Sequence, residues 1–446
     1  MKEKYNVVEL FSGIGSQARA LKNIGIQINV QATCEWDIHA FIAYDAIHES
    51  ICNLPEVEKM SKEKLLDELE SYNLSNNGKE PMAKNTLHGY SEAVLKRVLS
   101  AIRRTRNFVD ISKVKGESMP GDTDILTYSF PCQDLSNVGA FHGYNKGIEE
   151  GSGSRSSLLW QVGRILREMK QSGKKLPRYL IMENVPTLLS PRHKENFEKW
   201  IGDLADLGYI SKYVLVNARN YGIPQNRPRL LMMSIFVGEN KRLRSRAEKF
   251  FFSWGDDEAK IIDDYKQSPY YKPVGIKDLL RCTDDRSSVL WKEALECTPN
   301  DTPSRRRIWN ENPKIIDEQG KITDEEFIRT ITTKQDRNPN SGNIYFNTGE
   351  EGRGTFRYLT PRECLLFMGF TDKDYDNLQA NNPPTRGTVA GCDDGESPAD
   401  NGGREIRCRL FPRDKIIRMA GNSIPVKMLE GFFYQLYKTE KFMGKK

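Results

Sequence analysis

The stretch NVVELFSGIGSQARALKNIGIQINVQATCEW, residues 6–36, decides the fold class of this chain. Its apolar run NVVELF is followed by a glycine-containing turn, SGIGS, and then by QARALKNIG, which predicts a helix ending at Gly25. INVQATCEW has the composition of a second strand. A strand, a turn, a helix and a strand in this order are how a doubly wound domain begins, so we predict an α/β fold.

The rest of the chain extends this pattern and then breaks it. Apolar strand patterns and helical patterns alternate up to Val237, which predicts a first domain over residues 1–237 with a helical insertion at about 50–108. Residues 238–411 are charged and irregular, which indicates a second, smaller domain that includes a mobile loop over 372–411. Residues 412–446 contain an amphipathic helix that we expect to complete the first domain.

Composition excludes several classes of protein. The 446 residues are 38% hydrophobic and contain neither a membrane-spanning run nor a signal-peptide pattern, so we expect a soluble cytoplasmic protein. The eight cysteines are scattered without CxxC or short Cys/His spacing, which argues against a metal site and against a disulfide scaffold. A net charge of +6 permits a polyanionic partner but does not require one.

The turn after the first strand is a candidate nucleoside site. Gly13 and Gly15 allow backbone N–H groups to approach a ligand at a helix N-terminus, although a plain strand–helix turn explains them equally well. Glu35 follows Gly15 by 20 residues, a position where a carboxylate accepts ribose hydroxyls, and Trp36 offers a flat face to adenine. Asp110 ends a further candidate strand, FVDIS, and suits either the adenine amino group or a helix cap.

A second polar set follows later strands. Cys132 in SFPCQDLS stands where the strand DILTYSF ends, and a core thiol, a metal ligand and a nucleophile all fit that position. Glu183 ends the next candidate strand, and Arg227 and Arg229 alternate so that they share one face of an extended segment. A surface ladder of ion pairs would explain the arginines alone, but a thiol and a carboxyl beside them point to reactive chemistry.

In this order the segments resemble the DNA (cytosine-5) methyltransferase family. The resemblance implies a Rossmann-like class I S-adenosylmethionine-dependent methyltransferase domain with a mixed sheet, followed by a smaller irregular target-recognition domain at 238–411. The most specific matches are PCQ, ENV and QxRxR. The matching segments are ELFSGIGS, EW at 35–36, DI at 110–111, SFPCQDLS, RSSLL at 155–159, MENV, QNRPR at 225–229, RYLTPRECLLFMGF at 357–370 and AGNSIP at 420–425.

The resemblance assigns roles to individual residues. It implies that Cys132 adds to carbon 6 of a flipped-out cytosine, that Glu183 is the acid at ring nitrogen 3, and that Arg227 and Arg229 position and polarise the base. It also implies that residues 133–154 form a mobile lid, for which a merely disordered loop is the alternative. The cofactor would be S-adenosylmethionine, leaving as S-adenosylhomocysteine, and its implied contacts are Phe11, Gly13, Gly15, Glu35, Trp36, Asp110, Ile111, Leu158 and Asn422.

The implied partner is double-stranded DNA, bound by a monomer that is associated with the nucleoid and is paired functionally with a restriction endonuclease. The basic end of the insertion, KRVLSAIRRTRN, would add phosphate contacts or simply be a solvated helix face. The residues expected to contact DNA are Gln133, Ser136, Arg329, Thr330, Thr332 and Arg337.

Three other functions compete with this interpretation. A tRNA cytosine-5 methyltransferase shares the catalytic segments, but its Cys-Phe-Thr tripeptide is absent here. A nucleotide-dependent oxidoreductase would explain the glycine turn and Glu35 but would leave PCQ, ENV and QNRPR unused. A non-catalytic DNA-binding module would have no need for the thiol, the carboxyl and the arginines together.

Overall fold

A computed structural model of the protein describes residues 4–131, 156–386 and 409–443. The chain divides into two compact units. The first unit comprises Met1–Val216, Pro228–Tyr271 and Leu429–Lys446, and the second comprises Asn217–Arg227 and Lys272–Met428. Residues 238–271, which the sequence assigned to the second domain, therefore belong to the first unit.

The strands of the described residues, in chain order, are β1 (Tyr5–Leu10), β2 (Ile28–Cys34), β3 (Ile125–Tyr128), β4 (Tyr179–Asn184), β5 (Tyr209–Asn217), β6 (Gln225–Asn226), β7 (Pro228–Phe236), β8 (Lys314–Ile316), β9 (Ile328–Arg329), β10 (Asn343–Tyr345) and β11 (Phe356–Arg357). Six of them form one sheet in the order β2-β1-β3-β4-β7-β5. β1 pairs in parallel with β2 and β3, β3 pairs in parallel with β4, and β7 runs antiparallel to β4. The mixed sheet expected from the sequence is therefore confirmed.

The central strands are apolar runs because both of their faces are covered. Every residue of β3 and β4 is buried, as is usual for strands between two helical layers. Trp160 and Trp200, from two different helices, pack edge to face with ring centroids 6.1 Å apart on this sheet's core. The helices that carry these two rings therefore cover buried residues of β3 and β4.

The α-helices of the described residues, in chain order, are α1 (Ser16–Asn23), α2 (Ile38–His48), α3 (Pro55–Glu58), α4 (Lys62–Leu69), α5 (Lys84–His88), α6 (Glu92–Thr105), α7 (Leu159–Gln171), α8 (Pro191–Asp206), α9 (Lys241–Phe252), α10 (Ala259–Lys266), α11 (Ile276–Leu279), α12 (Val289–Glu296), α13 (Pro303–Glu311), α14 (Pro361–Leu366), α15 (Asp372–Ala380), α16 (Arg413–Asn422) and α17 (Val426–Met443). Within these described residues no helix is long and apolar enough to cross a membrane.

The last helix contributes polar contacts to the first unit. Glu430 of α17 accepts hydrogen bonds from the Asn23 amide at 2.6 Å and from the Tyr265 hydroxyl at 2.5 Å. Glu440, three turns further on, accepts from the Tyr179 hydroxyl at 2.8 Å. These bonds join the C-terminal part of the chain to the first helix and to the central sheet.

Two stretches contain more regular structure than their sequences predicted. Residues 241–311, expected to be irregular, contain α9 to α13. The first residues of the predicted mobile loop, Asp372–Ala380, form α15, because Thr371 and Asp374 cap its N-terminus reciprocally. Of the remainder of that loop, residues 387–408 lie outside the described residues.

The helical insertion predicted at about 50–108 contains four helices, α3 to α6. Four of the five basic side chains in its end KRVLSAIRRTRN are paired within the first unit, whereas Arg106 is exposed. Arg97 and Arg104 both bind the Asp45 carboxylate, which is fully buried, and Arg103 binds Glu68 at 2.6 Å. Lys96 binds Glu92 at 2.8 Å. These four charges of KRVLSAIRRTRN therefore stabilise the fold.

The buried group of Asp45, Arg97 and Arg104, called here the triad, provides a test of this structural role. Replacing Asp45 with alanine leaves Arg97, whose side chain is 4% exposed, without its carboxylate. We expect Asp45→Ala to lower the free energy of unfolding by about 3–5 kcal/mol, the usual cost of breaking a buried ion pair. Urea unfolding followed by circular dichroism measures the change.

The matched control is Glu68→Ala, which removes the partner of Arg103 in a pair that is about one-third exposed. Its expected cost is below about 1 kcal/mol. Equal losses in the two variants would contradict a structural role specific to the triad.

Candidate active site

The turn between β1 and α1 adopts backbone conformations that suit glycine. Gly13 and Gly15 have φ angles of +54° and +81°, and Phe11 has a φ angle of +56°. A side chain on Gly15 would collide with Tyr44 and His48, whereas no atom lies within 4 Å of the position that a Cβ on Gly13 would occupy. The turn is therefore packed tightly behind Gly15 and is open at Gly13.

Glu35 joins this turn to the start of α2. Its Oε2 accepts a hydrogen bond from the Gly13 N–H at 3.1 Å, and its Oε1 accepts one from the Asp37 N–H at 3.0 Å. Burial of the carboxyl raises the pKa of Glu35 to about 7, although these backbone donors act in the opposite direction. Its neighbour Trp36 is partly buried. Of the predicted pair at the end of β2, Glu35 is therefore bonded directly to the glycine turn.

The candidate strand FVDIS is not a strand, which corrects the sequence prediction. A single bridge pairs Thr33 with Asn107, and Val109 has a φ angle of +64°, which takes the chain out of a β conformation. Asp110 instead caps a short 3₁₀ turn, Ile111–Lys113, as its side chain accepts from the Ser112 N–H at 2.9 Å. Partial burial acts against ionisation, but hydrogen bonds from Asn73 and Ser112 hold the pKa of Asp110 below its ordinary value.

The residues present fit an adenosine-type ligand. Besides the Glu35 carboxylate and the open Gly13, Ser12 Oγ and Gln17 Oε1 are buried here and have no hydrogen-bond partner among the described residues. Buried polar atoms without partners are uncommon unless a ligand or water satisfies them. Phe11 and Leu158 are partly buried and Ile111 is buried in the same unit, whereas Asn422 is an exposed residue of the second unit.

The carboxyl end of β4 carries an ion pair. Arg229 Nε lies 2.9 Å from Glu183 Oε1, and the two side chains are only 13% and 11% exposed. Antiparallel pairing of β4 with β7 sets Glu183 opposite Leu231, so that Arg229 begins the strand that returns past the carboxylate. The structure therefore brings together two of the four predicted catalytic residues.

Cys132, Gln133, Ser136 and the predicted lid at 133–154 lie outside the described residues. The chain leading to Cys132 is described up to Pro131 and is tied at two points. The Asn184 side chain donates to the Phe130 carbonyl at 3.0 Å, and the Gln17 side chain donates to the Ser129 hydroxyl at 2.8 Å. Asn184 follows Glu183 directly, so the carboxylate and the end of β3 are held by adjacent residues.

Arg227 has a different environment from Arg229. It is 2% exposed, and its guanidinium donates to the carbonyls of Ile331 at 2.8 Å, Gly421 at 2.7 Å and Ser423 at 2.9 Å. These bonds connect three chain segments of the second unit. The alternation of arginines in the sequence did not reveal this structural use of the first one.

The predicted DNA-contacting segment around Ile331 is anchored on its inner side. Gln225 Oε1 accepts from the Ile331 N–H at 3.1 Å, and the hydroxyls of Thr330 and Thr332 donate to the carbonyls of Asn226 and Lys334 at 2.6 and 2.8 Å. The backbone of this segment is therefore fixed. Arg329 and Arg337 are exposed, as expected for residues that contact a polyanion.

Comparison with known proteins agrees with these features. A family model for the C-5 cytosine-specific DNA methylase matches residues 71–386, a range that excludes the glycine turn and Glu35. The chain is 27% identical over 447 residues to the type II methyltransferase M2.ScrFI of Lactococcus lactis subsp. cremoris, covering 97% of this chain and 99% of that protein. It is 36% identical over 236 residues to the orphan methyltransferase M.SssI of Spiroplasma monobiae, covering 52% and 59%.

Among solved structures, the Dnmt2 methyltransferase of S. pombe superimposes with a TM-score of 0.55 and 15% identity over 98% of each chain. At this level of identity the likeness concerns the fold alone.

The structural use of Arg227 can be measured. Arg227→Met leaves three backbone carbonyls without their donor, and each unsatisfied buried acceptor costs about 1–3 kcal/mol. We expect a loss of at least about 2 kcal/mol in the free energy of unfolding, measured by urea denaturation.

Arg329→Met is the control, because that arginine is exposed in the same unit. Its expected effect is within about 0.5 kcal/mol. If Arg227→Met were as stable as this control, the three hydrogen bonds to carbonyls would make no measurable contribution to the free energy of unfolding.

Proposed function

Because the chain belongs to the C-5 cytosine-specific DNA methylase family, we propose that it methylates carbon 5 of a flipped-out cytosine through a covalent adduct with Cys132. DNA cytosine-5 methylation itself is the activity of the family, and the chain is a DNA (cytosine-5) methyltransferase. The observation that carries the detailed proposal is the Glu183–Arg229 pair at the end of β4, next to the residue that holds the chain leading to Cys132.

The thiolate of Cys132 would begin the reaction at carbon 6 of the base. Carbon 5 of cytosine is a poor nucleophile until a group adds across the neighbouring double bond, and a soft thiolate adds and later leaves. As the S–C6 bond forms, the electron pair of the 5,6 double bond moves towards ring nitrogen 3, which takes a proton. The resulting enamine carries its nucleophilic carbon at position 5.

Glu183 would supply the proton at nitrogen 3. General acid catalysis requires a carboxyl within hydrogen-bond distance of the group that gains charge. Arg229 Nε, 2.9 Å from Oε1, fixes the orientation of that carboxyl group. The guanidinium N–H groups also polarise the base in this proposal. After carbon 5 is methylated, loss of its proton to a solvent base re-forms the 5,6 double bond and expels the thiolate, and nitrogen 3 returns its proton to Glu183.

S-adenosylmethionine is the proposed cofactor, and when bound it supplies an electrophilic methyl group. Glu35 would accept the ribose hydroxyls, Gly13 would leave space for the ligand beside the turn, and Asp110 would accept the adenine amino group. Phe11, Trp36, Ile111 and Leu158 would supply apolar contacts, and Asn422 a polar one. The buried, partnerless oxygens of Ser12 and Gln17 support a polar ligand at this place.

The second unit is the proposed target-recognition domain. Exposed Arg329 and Arg337 would contact phosphates, while the fixed backbone around Ile331 would present Thr330 and Thr332 towards DNA at a constant position. Gln133 and Ser136 would contact the DNA near the flipped base. We further propose that the protein acts as a monomer on nucleoid DNA in the cytoplasm, alongside a restriction endonuclease. Bisulfite sequencing of host DNA after expression tests the activity and identifies the target sequence.

Replacing the nucleophile separates chemistry from binding. We expect Cys132→Ser to abolish methyl transfer and tritium release from carbon-5-labelled cytosine in duplex DNA, because a serine hydroxyl is a much weaker nucleophile than a thiolate. S-adenosylhomocysteine binding, measured by calorimetry, should change less than about threefold, because the proposed contacts of Cys132 are with the base.

Cys52→Ser is the matched control, since Cys52 is an exposed cysteine elsewhere in the first unit. It should retain normal turnover. Near-normal turnover by Cys132→Ser would exclude the covalent mechanism. Methylation of tRNA in place of duplex DNA would show that the proposed substrate is wrong.

The raised pKa of Glu35 predicts a pH-dependent affinity. Ribose hydroxyls donate to the ionised carboxylate, so binding must release the proton that Glu35 retains below its pKa of about 7. S-adenosylhomocysteine affinity should therefore fall about tenfold between pH 8 and pH 6, as measured by calorimetry.

Glu35→Gln provides the comparison. It should bind more weakly and show a nearly flat profile, although Glu9, whose burial also raises its pKa to about 7, remains in place. An unchanged slope in Glu35→Gln would assign the pH dependence to another group.

A further inference from the structure

We propose that the helical insertion between β2 and β3 forms one wall of the cofactor site, and that Asn73 is a positioning residue for Asp110. The inference rests on the cofactor contacts proposed above. It assigns a role to the stretch from Asn73 to Glu80, called here the wall segment, which connects α4 to α5. This role differs from the phosphate contacts considered for the basic end of the insertion, where the basic side chains of α6 are engaged in ion pairs.

The wall segment is hydrogen-bonded to the backbone at Trp36 and Ile38, and Trp36 is one of the proposed adenine contacts. The Ser75 N–H donates to the Trp36 carbonyl at 2.9 Å, and the Ser75 carbonyl accepts from the Ile38 N–H, also at 2.9 Å. Ser75 is fully buried. These two bonds fix the backbone on both sides of Asp37, whose N–H in turn binds Glu35.

Internal bonds make the wall segment rigid. Ser75 Oγ donates to the Glu80 carbonyl at 2.6 Å and accepts from the Gly78 N–H at 3.0 Å. Gly78 has a φ angle of +66°, and a Cβ at that position would lie 3.3 Å from Asp37 Oδ2. The segment is therefore a closed loop that fits against the start of α2.

Asn73 reaches the other proposed adenine contact. Its Nδ2 donates to Asp110 Oδ2 at 2.7 Å, while Asp110 Oδ1 accepts from both the N–H and the hydroxyl of Ser112, at 2.9 and 2.7 Å. A carboxylate has about four acceptor sites, two on each oxygen. The donors present occupy both sites on Oδ1 and one on Oδ2, so Asn73 leaves a single defined site for an amino group.

Asp110 needs this support because no strand holds it. It follows Val109, a β-branched residue with a φ angle of +64°, which is an unfavourable conformation for that residue type. The backbone there is attached to the β2 strand at Asn107, Phe108 and Val109, but not at Asp110 itself within the described residues. Without Asn73, the Asp110 side chain would retain only the local cap to Ser112 within the described residues, so its orientation would be less restricted.

Isosteric charge substitutions test the inference. Asn73→Asp places a second carboxylate beside Asp110, so the pair repels or retains a proton and loses the acceptor geometry. We expect S-adenosylhomocysteine affinity, measured by calorimetry, to fall at least about tenfold, and the affinity of Asn73→Ala to fall about threefold.

Asn85→Asp is the matched control, because it adds the same charge to an exposed residue on the same insertion. Its affinity should stay within about twofold of wild type. Steady-state kinetics add a second readout, as the KM for the methyl donor should rise in the Asn73 variants while the KM for DNA and kcat at saturation stay unchanged.

A purely structural role for Asn73 predicts a different pattern, in which ligand-free melting temperature and both KM values change together. Equal S-adenosylhomocysteine affinity in wild type, Asn73→Asp and Asn85→Asp would overturn this inference alone. Wild-type protein that fails to bind S-adenosylhomocysteine would overturn the proposed cofactor, and this inference with it.

Discussion

The Glu35 carboxylate is the contact on which the proposed cofactor site depends. Its two oxygens bind the N–H groups of Gly13 and Asp37, so one side chain fixes both the glycine turn after β1 and the first turn of α2. Burial of this carboxyl disfavours its charge, and the two backbone donors offset part of that cost. A ligand that donates further hydrogen bonds to Glu35 would offset the rest of the cost of burying its charge. In this proposal Glu35 is a folding element that would gain its full stabilisation only when the ligand is bound.

The reactive end of the first unit depends on strand direction. In a wholly parallel sheet the segment leading into β7 would start at the opposite edge from Glu183. Because β7 runs antiparallel to β4, its first residues lie beside the last residues of β4, and Arg229 contacts Glu183. Asn184 then connects the same strand end to the Phe130 carbonyl, two residues before Cys132. The mixed sheet therefore determines which side chains meet.

The features that could be predicted from the sequence are local ones, namely buried apolar strands and the polar residues at their ends. β1 to β5 and β7 are apolar runs with clear turns, and Glu183 and Arg229 were recognisable at their ends. Hydrogen bonds from polar side chains to residues far along the chain could not be recognised in the sequence. Arg227 resembles Arg229 in the sequence, yet its partners are carbonyls about 100 and 200 residues later, as the bonds to Ile331, Gly421 and Ser423 show. Asn107, which binds Glu35, was missed for the same reason.

Two asparagine side chains fix the chain next to β2, and one of them takes the place of a neighbouring strand. Asn107 Nδ2 donates to the Glu35 carbonyl at 2.8 Å and its Oδ1 accepts from the Glu35 N–H at 2.9 Å, which satisfies the groups that a neighbouring strand would bind. Asn73 instead holds a side chain, since its Nδ2 donates to the Asp110 carboxylate at 2.7 Å. Backbone pairing tolerates most side chains, because every residue except proline offers the same N–H and C=O groups. Bonds made by side-chain amides do not, so residue identity at positions 73 and 107 would constrain the proposed cofactor site more tightly than an ordinary edge strand would.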